Sequence, residues 1–73
     1  MFQYKENAKV GIVAGSKSDQ EVVDKITAVL DSFGIVWEFN ILSAHRTPNA
    51  TAKYAKEAAD RGLQVIIGVA GLA

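Results

Sequence analysis

Between Lys9 and Val69 the hydrophobic pattern switches period four times, and this alternation limits the fold more than any other feature of the chain. Lys9 to Ala14 reads KVGIVA, a short β-branched run that stops at Gly15. A nearly continuous apolar run of this length suits a strand covered on both faces. Then Val22, Val23, Ile26, Val29, Leu30 and Phe33 recur at the spacing of one helical face. Ser18 and Glu21 fit a capping box at the start of that helix, and Gly34 stands where a left-handed residue would end it. Ile35 to Leu42, IVWEFNIL, has the β-branched and aromatic content of a second strand. Thr47 can cap a second helix with Pro48 at its first position, where the missing N–H costs nothing. That helix is expected to run to Arg61 and stop at Gly62, with Ala52, Ala55, Ala58 and Ala59 as a flat packing face. Gln64 to Val69, QVIIGV, is a third strand.

A β-α-β-α-β order implies a parallel sheet with right-handed crossovers. The expected fold class is α/β, a three-layer flavodoxin- or Rossmann-like sheet in the strand order 2-1-3, with only its first half present. The chain of 73 residues makes one domain, 1–73. A domain this small buries only about 60% of its unfolded surface. With no cysteine it has no disulfide framework and no thiolate metal site. The third strand should form an exposed apolar edge, which favours self-association into a homo-oligomer over a lone monomer.

Composition removes several functions. Eight Lys and Arg balance eight Asp and Glu, so the surplus of positive charge that a general nucleic-acid binder uses is missing. The apolar runs are too short to span a bilayer, and Met1 to Val10 lacks the pattern of a secretory signal. The expectation is a soluble cytoplasmic protein that uses neither nucleic acid nor membrane.

In open α/β sheets ligands bind beyond the carboxyl ends of the strands. Three turns fall there: Gly15-Ser16-Lys17-Ser18-Asp19, Ser43-Ala44-His45-Arg46-Thr47 and Gly71-Leu72-Ala73. The first enters a helix N-terminus, where free N–H groups and the dipole favour an anion and Ser16 and Ser18 add hydroxyls. The competing reading makes Ser18 a plain cap and Gly15 a plain turn. Asp19 repels a phosphate and suits sugar hydroxyls or the helix dipole. In the second turn His45, the only histidine, can move a proton near neutral pH, and Arg46 offers a planar fork to phosphate or carboxylate. Taken alone, that pair reads more readily as a surface-loop histidine beside an arginine in an exposed ion pair; its position on the same rim as the anion-ready helix start favours function. Trp37 and Phe39 read as packing residues, and Tyr54 as a packing residue with a wet hydroxyl. Lys53, Lys56, Glu57, Asp60 and Arg61 read as a solvated helix face, with Lys53 and Glu57 at ion-pair spacing. One histidine without cysteines is too few ligands for a metal cluster.

Taken together, GSKSD (residues 15–19) and SAHRTP (43–48) resemble the N-terminal half of the N5-carboxyaminoimidazole ribonucleotide mutase family of purine biosynthesis. The likeness runs from about Lys9 to Ala73. Arg46 after the histidine is similar to the bacterial mutase class; the related carboxylase class tends to carry lysine there. The resemblance implies that Ser16 and Asp19 bind the phosphoribosyl part of the substrate, with Ser18 and Ser43 in the same substrate-binding set. It implies that Arg46 holds the phosphate and His45 is the general acid/base at the ring carbon that gains the carboxylate. The implied reaction moves a carboxyl group from the exocyclic nitrogen to ring carbon four, with no metal, ATP or biotin as cofactor. The implied partners are copies of the same chain, an octamer in the family, and the ATP-dependent carboxyaminoimidazole ribonucleotide synthase that makes the substrate. Such a family continues past the third strand with a loop of the form AHLPG. Here the chain reads Ala70-Gly71-Leu72-Ala73, and Leu72 stands where glycine is usual. The expectation is a truncated member, with a non-catalytic ribose-phosphate-binding fragment and a generic flavodoxin-like module as the alternatives.

Overall fold

The computed structural model describes residues 3–43 and 48–70. Within them the elements follow the expected order: β1 (Val10–Ala14), α1 (Gln20–Ser32), β2 (Trp37–Ile41), α2 (Pro48–Ala58) and β3 (Val65–Val69). The strands form one parallel sheet in the order β2-β1-β3. Ile12 lies between Phe39 and Ile67 in register, and Gly11 lies between Glu38 and Ile66.

Because side chains alternate across a strand, the two faces of the sheet have different characters. On the α1 side, Val10, Ile12 and Ala14 pack with Val23 as the apolar core, supported by Ile26, Leu30, Trp37, Phe39, Ile67 and Val69. Ile12 and Ala14 are fully buried. The predicted helical face is only partly used. Val23 is buried, but Val22, Val29 and Phe33 stay 48%, 55% and 73% exposed. The six-residue arc is wider than one sheet face can cover, so the side centred on Val23 docks and the other faces out. Val65 and Ile66 on β3 are also exposed, so the apolar edge expected of the third strand is present.

The helix starts and ends refine the sequence reading. Ser18 does not cap α1. Lys17–Asp19 form a 3-10 turn closed by Asp19 N–H donating to the Ser16 carbonyl (3.2 Å), and Asp19 occupies the N-cap without a side-chain capping bond. That turn draws Ser18 in before the helix begins, so the capping box with Glu21 does not form. Both helices lead into a glycine of positive φ, Gly34 (69°) and Gly62 (88°), as a left-handed terminus requires. Helix α2 stops at Ala58 rather than Arg61. Of its alanines only Ala58 is buried. Ala52, Ala55 and Ala59 are exposed, because the face turned to the sheet carries Thr51, Tyr54, Ala58 and Arg61.

Candidate functional site

The carboxyl ends of the three strands are stitched together. Leu42 N–H donates to the Ala14 carbonyl (2.9 Å), and Gly15 N–H donates to the Val69 carbonyl (3.3 Å). The first loop, the start of the second and the end of β3 therefore meet at one rim, at the point where strand order reverses on either side of β1 and where open α/β sheets bind ligands. An added Cβ at Gly15 would meet nothing within 4 Å, so its backbone is open to a ligand.

On this rim Ser16 and Ser18 share a hydrogen bond between their hydroxyls (2.6 Å), and both residues are exposed. Asp19 follows them and is buried, 7% exposed, at the threshold of α1. The exposed pair of hydroxyls and the buried Asp19 thus follow one another along the chain at the junction of the 3-10 turn and the helix. Their chemistry suits a polyhydroxylated, anionic ligand: hydroxyls can donate to a phosphate, and the carboxylate can accept from a sugar. Ser43 is half-buried at the start of the second loop. His45 and Arg46 lie outside the described residues, as do Gly71, Leu72 and Ala73. Among the described residues no group of three or more His, Cys, Asp or Glu side chains could hold a metal ion, and no helix is long and apolar enough to cross a membrane.

The structure adds a polar cluster that sequence reasoning missed, on the α2 side of the sheet. Glu38 of β2 is 3% exposed. It receives the Tyr54 hydroxyl (2.5 Å), both terminal nitrogens of Arg61 (3.0 and 2.5 Å) and the Lys5 N–H (3.0 Å). Burial by itself raises the Glu38 carboxyl. The hydrogen bonds from Arg61, Tyr54 and Lys5 outweigh it and hold the group below the usual carboxylate range. Burial, and then the bond to Glu38, push the Tyr54 hydroxyl up to about 12. Tyr54 is 1% exposed, so its hydroxyl is not wet. Arg61 is not on a solvated face; it stacks on the Tyr4 ring at 3.9 Å and completes a forked pair with Glu38. Glu57, expected to pair with Lys53, accepts the Tyr4 hydroxyl (2.9 Å). Asn40, the next residue on this face, exchanges two bonds with the Gln3 backbone. The signal was present in the sequence: a glutamate inside an apolar strand, with Tyr54 and Arg61 seven residues apart on one helical face.

An open parallel sheet with polar loops gathered on its carboxyl rim defines an α/β protein of flavodoxin-like topology. Within that class, a family model described as AIR carboxylase matches residues 9–73, and the chain belongs to that family. Relatives named N5-carboxyaminoimidazole ribonucleotide mutase include one from Vibrio cholerae, 52% identical over 62 residues, which are 85% of this chain and 38% of the relative. One from Pyrococcus horikoshii is 47% identical over 66 residues, 90% of this chain and 37% of the relative. One from Thermotoga maritima is 49% identical over 63 residues, 86% of this chain and 37% of the relative. The chain thus spans about two-fifths of the length of these relatives.

Proposed function

We propose that the chain supplies the first two active-site loops of a mutase in purine biosynthesis, acting on a carboxyaminoimidazole ribonucleotide. The observation that carries this reading is the seating of Ser16, Ser18, Asp19 and Ser43 at one rim, inside the stretch that matches the family. In this reading Ser16, Ser18 and Ser43 donate to the ribose phosphate, Asp19 accepts from sugar hydroxyls, and Arg46 pairs with the phosphate. His45 moves the proton at the reacting ring carbon. The carbamate C–N bond breaks, carbon dioxide leaves and the nitrogen takes a proton. Ring carbon four then attacks the same carbon dioxide, and His45 removes the proton from that carbon. One proton is taken up and one is released, so the step is an isomerisation that needs no redox partner. The exposed apolar surface of Val22, Val29, Phe33, Val65 and Ile66 favours action as a homo-oligomer. A cytoplasmic location follows from a soluble substrate of this kind, and the functional partner is the ATP-dependent synthase that supplies it.

The test is conversion of the carboxyamino ribonucleotide measured against its spontaneous rate. The chain is expected to exceed that background, and His45→Asn is expected to return it to background. A wild-type rate equal to background overturns the mutase reading for this chain and leaves a binding fragment.

A further inference from the structure

Strand β3 ends the sheet among the described residues. It reads VIIGV, with no charge and no proline, and its register with β1 runs unbroken from Val65 to Val69, so no bulge bends it. Charges, prolines and bulges are the features with which natural sheets blunt an edge. The strand at the other edge, β2, carries Glu38 and Asn40. The bonds of β3 to β1 fix which of its backbone groups face out. Val65 N–H donates to the Lys9 carbonyl (3.2 Å), and the Val69 carbonyl accepts from Gly15 N–H (3.3 Å). Backbone groups alternate along a strand, so those of Val65, Ile67 and Val69 face β1, and the N–H and C=O of Ile66 and Gly68 face outward. We propose that this edge pairs with the same edge of a second copy of the chain, antiparallel and centred on Ile67, to make one continuous sheet in the order β2-β1-β3-β3-β1-β2.

In this register the edge is complementary to itself. A two-fold axis at Ile67 relates identical edges and requires them to run antiparallel. It sets Ile66 of each copy opposite Gly68 of the other. These are the residues whose N–H and C=O point outward, so each such pair exchanges both of its hydrogen bonds. The positive end of every outward N–H thus meets the negative end of a carbonyl. Residues 63–70 carry no charged side chain, so no like charges are brought together across the axis. The side chains fit as well. Ile66 is exposed, and an added Cβ at Gly68 would meet nothing within 4 Å, so Ile66 has open space to enter over the glycine of the other copy. On the opposite face Ile67 meets its counterpart, and the exposed Val65 meets Val69. Ile67 and Val69 pack against the α1-side core, which therefore continues from one copy into the other. One strand with its flanking side chains buries less than the roughly 1,200 Å² of a standard interface, so the pairing is reversible and depends on concentration.

The experiment is sedimentation of the full 73-residue chain over a range of concentrations, beside two variants. The wild type is expected to pass reversibly from one chain of 7.8 kDa to two. Gly68→Pro is the sharper variant. Gly68 N–H points away from β1, so proline removes no bond within the chain, while its ring blocks the outer edge and each pair loses a donor. It is expected to weaken dimerisation about tenfold or more with the fold kept by its amide spectrum. Phe33→Ser, at the exposed end of α1, is expected to leave dimerisation unchanged. If Gly68→Pro does not fold, Ile66→Lys, at an exposed position of the same edge, takes its place with the same loss expected. A wild type that stays monomeric throughout overturns the proposal. A dimer that Gly68→Pro leaves intact, or that Phe33→Ser abolishes, overturns it too. In a mixture of labelled and unlabelled copies, contacts between Ile66 and Gly68 of different copies support the register, and contacts of Ile66 with its own counterpart overturn it. No readout uses the ribonucleotide. A chain inert as a mutase that still dimerises through β3 keeps this interface, and an active monomer removes the interface and keeps the mutase reading.

Discussion

The two faces of the sheet are held by opposite means. Toward α1 the strands present Val10, Ile12 and Ala14, and the helix answers with Val23, Ile26 and Leu30. Toward α2 they present Gly11, Glu38 and Asn40, and the partners are a tyrosine hydroxyl, a guanidinium and the backbone of Gln3 and Lys5. The first face gains free energy from apolar area and does not demand one geometry. The second contributes little net energy for the charges it buries, and its hydrogen bonds are directional. The same small sheet is therefore held by area on one face and by directed bonds on the other.

The largest expected effect breaks the first face. Ile12 is fully buried at the centre of the core. Ile12→Ala removes three heavy atoms there and is expected to cost about 3 kcal/mol. A domain of this size has on the order of 5 kcal/mol in total, so urea denaturation should find the variant mostly unfolded or nearly so. A loss below about 1 kcal/mol would show that α1 is not what secures the sheet.

Gly11→Ala attacks the second face without removing any bond. The new Cβ would meet the Tyr54 hydroxyl and lie 2.6 Å from a Leu63 methyl. Overpacking of this kind costs about 1–3 kcal/mol. Removing the obstructing hydroxyl should recover part of that, so Tyr54→Phe in the Gly11→Ala background is expected to cost less than in the wild type. Additive losses in the denaturation midpoints would mean that the two residues do not press on each other.

The faces also differ in their response to acid. The α1-side core is built of Val10, Ile12, Ala14 and Val23, none of which titrates, whereas Glu38 faces Arg61, Tyr54 and the Lys5 N–H and is held below its ordinary value. A carboxyl depressed in the folded state contributes stability above its unfolded value, near pH 4 to 5, and loses it as the pH falls through the folded value. Stability should therefore decline on the acid side of about pH 5. Glu38→Gln, which cannot ionise, should be weaker at neutral pH and show a flatter acid limb. A wild type and a variant with parallel acid limbs would show that Glu38 does not titrate with unfolding.

This contrast also explains what could be read from the sequence. The α1 face was legible because it obeys periodicity: KVGIVA and the spacing of Val23, Ile26 and Leu30 encode strand, helix and strand order without long-range information. The α2 face was not, because periodicity treats Glu38 as an interruption and Arg61 as a surface charge. Their meaning lies in a pairing between positions 23 residues apart. At the candidate site, the strand ends and the GSKSD loop were placed on one rim from topology alone. The detail at Ser18 failed because a 3-10 turn competes with a capping box over the same four residues, and local sequence does not decide between them.

The smallest expected effect tests a feature that the two faces share. Helix α1 leads into Gly34 and the chain turns after α2 at Gly62, with φ of 69° and 88°. An added Cβ at either would meet nothing within 4 Å, so neither glycine is required for space. Only the left-handed backbone requires it, and alanine there costs about 1 kcal/mol. Gly34→Ala and Gly62→Ala should therefore lose similar amounts, although one helix packs on an apolar face and the other on a polar cluster. Unequal losses in the denaturation midpoints would show that packing around one of the turns, and not the left-handed backbone alone, sets the cost.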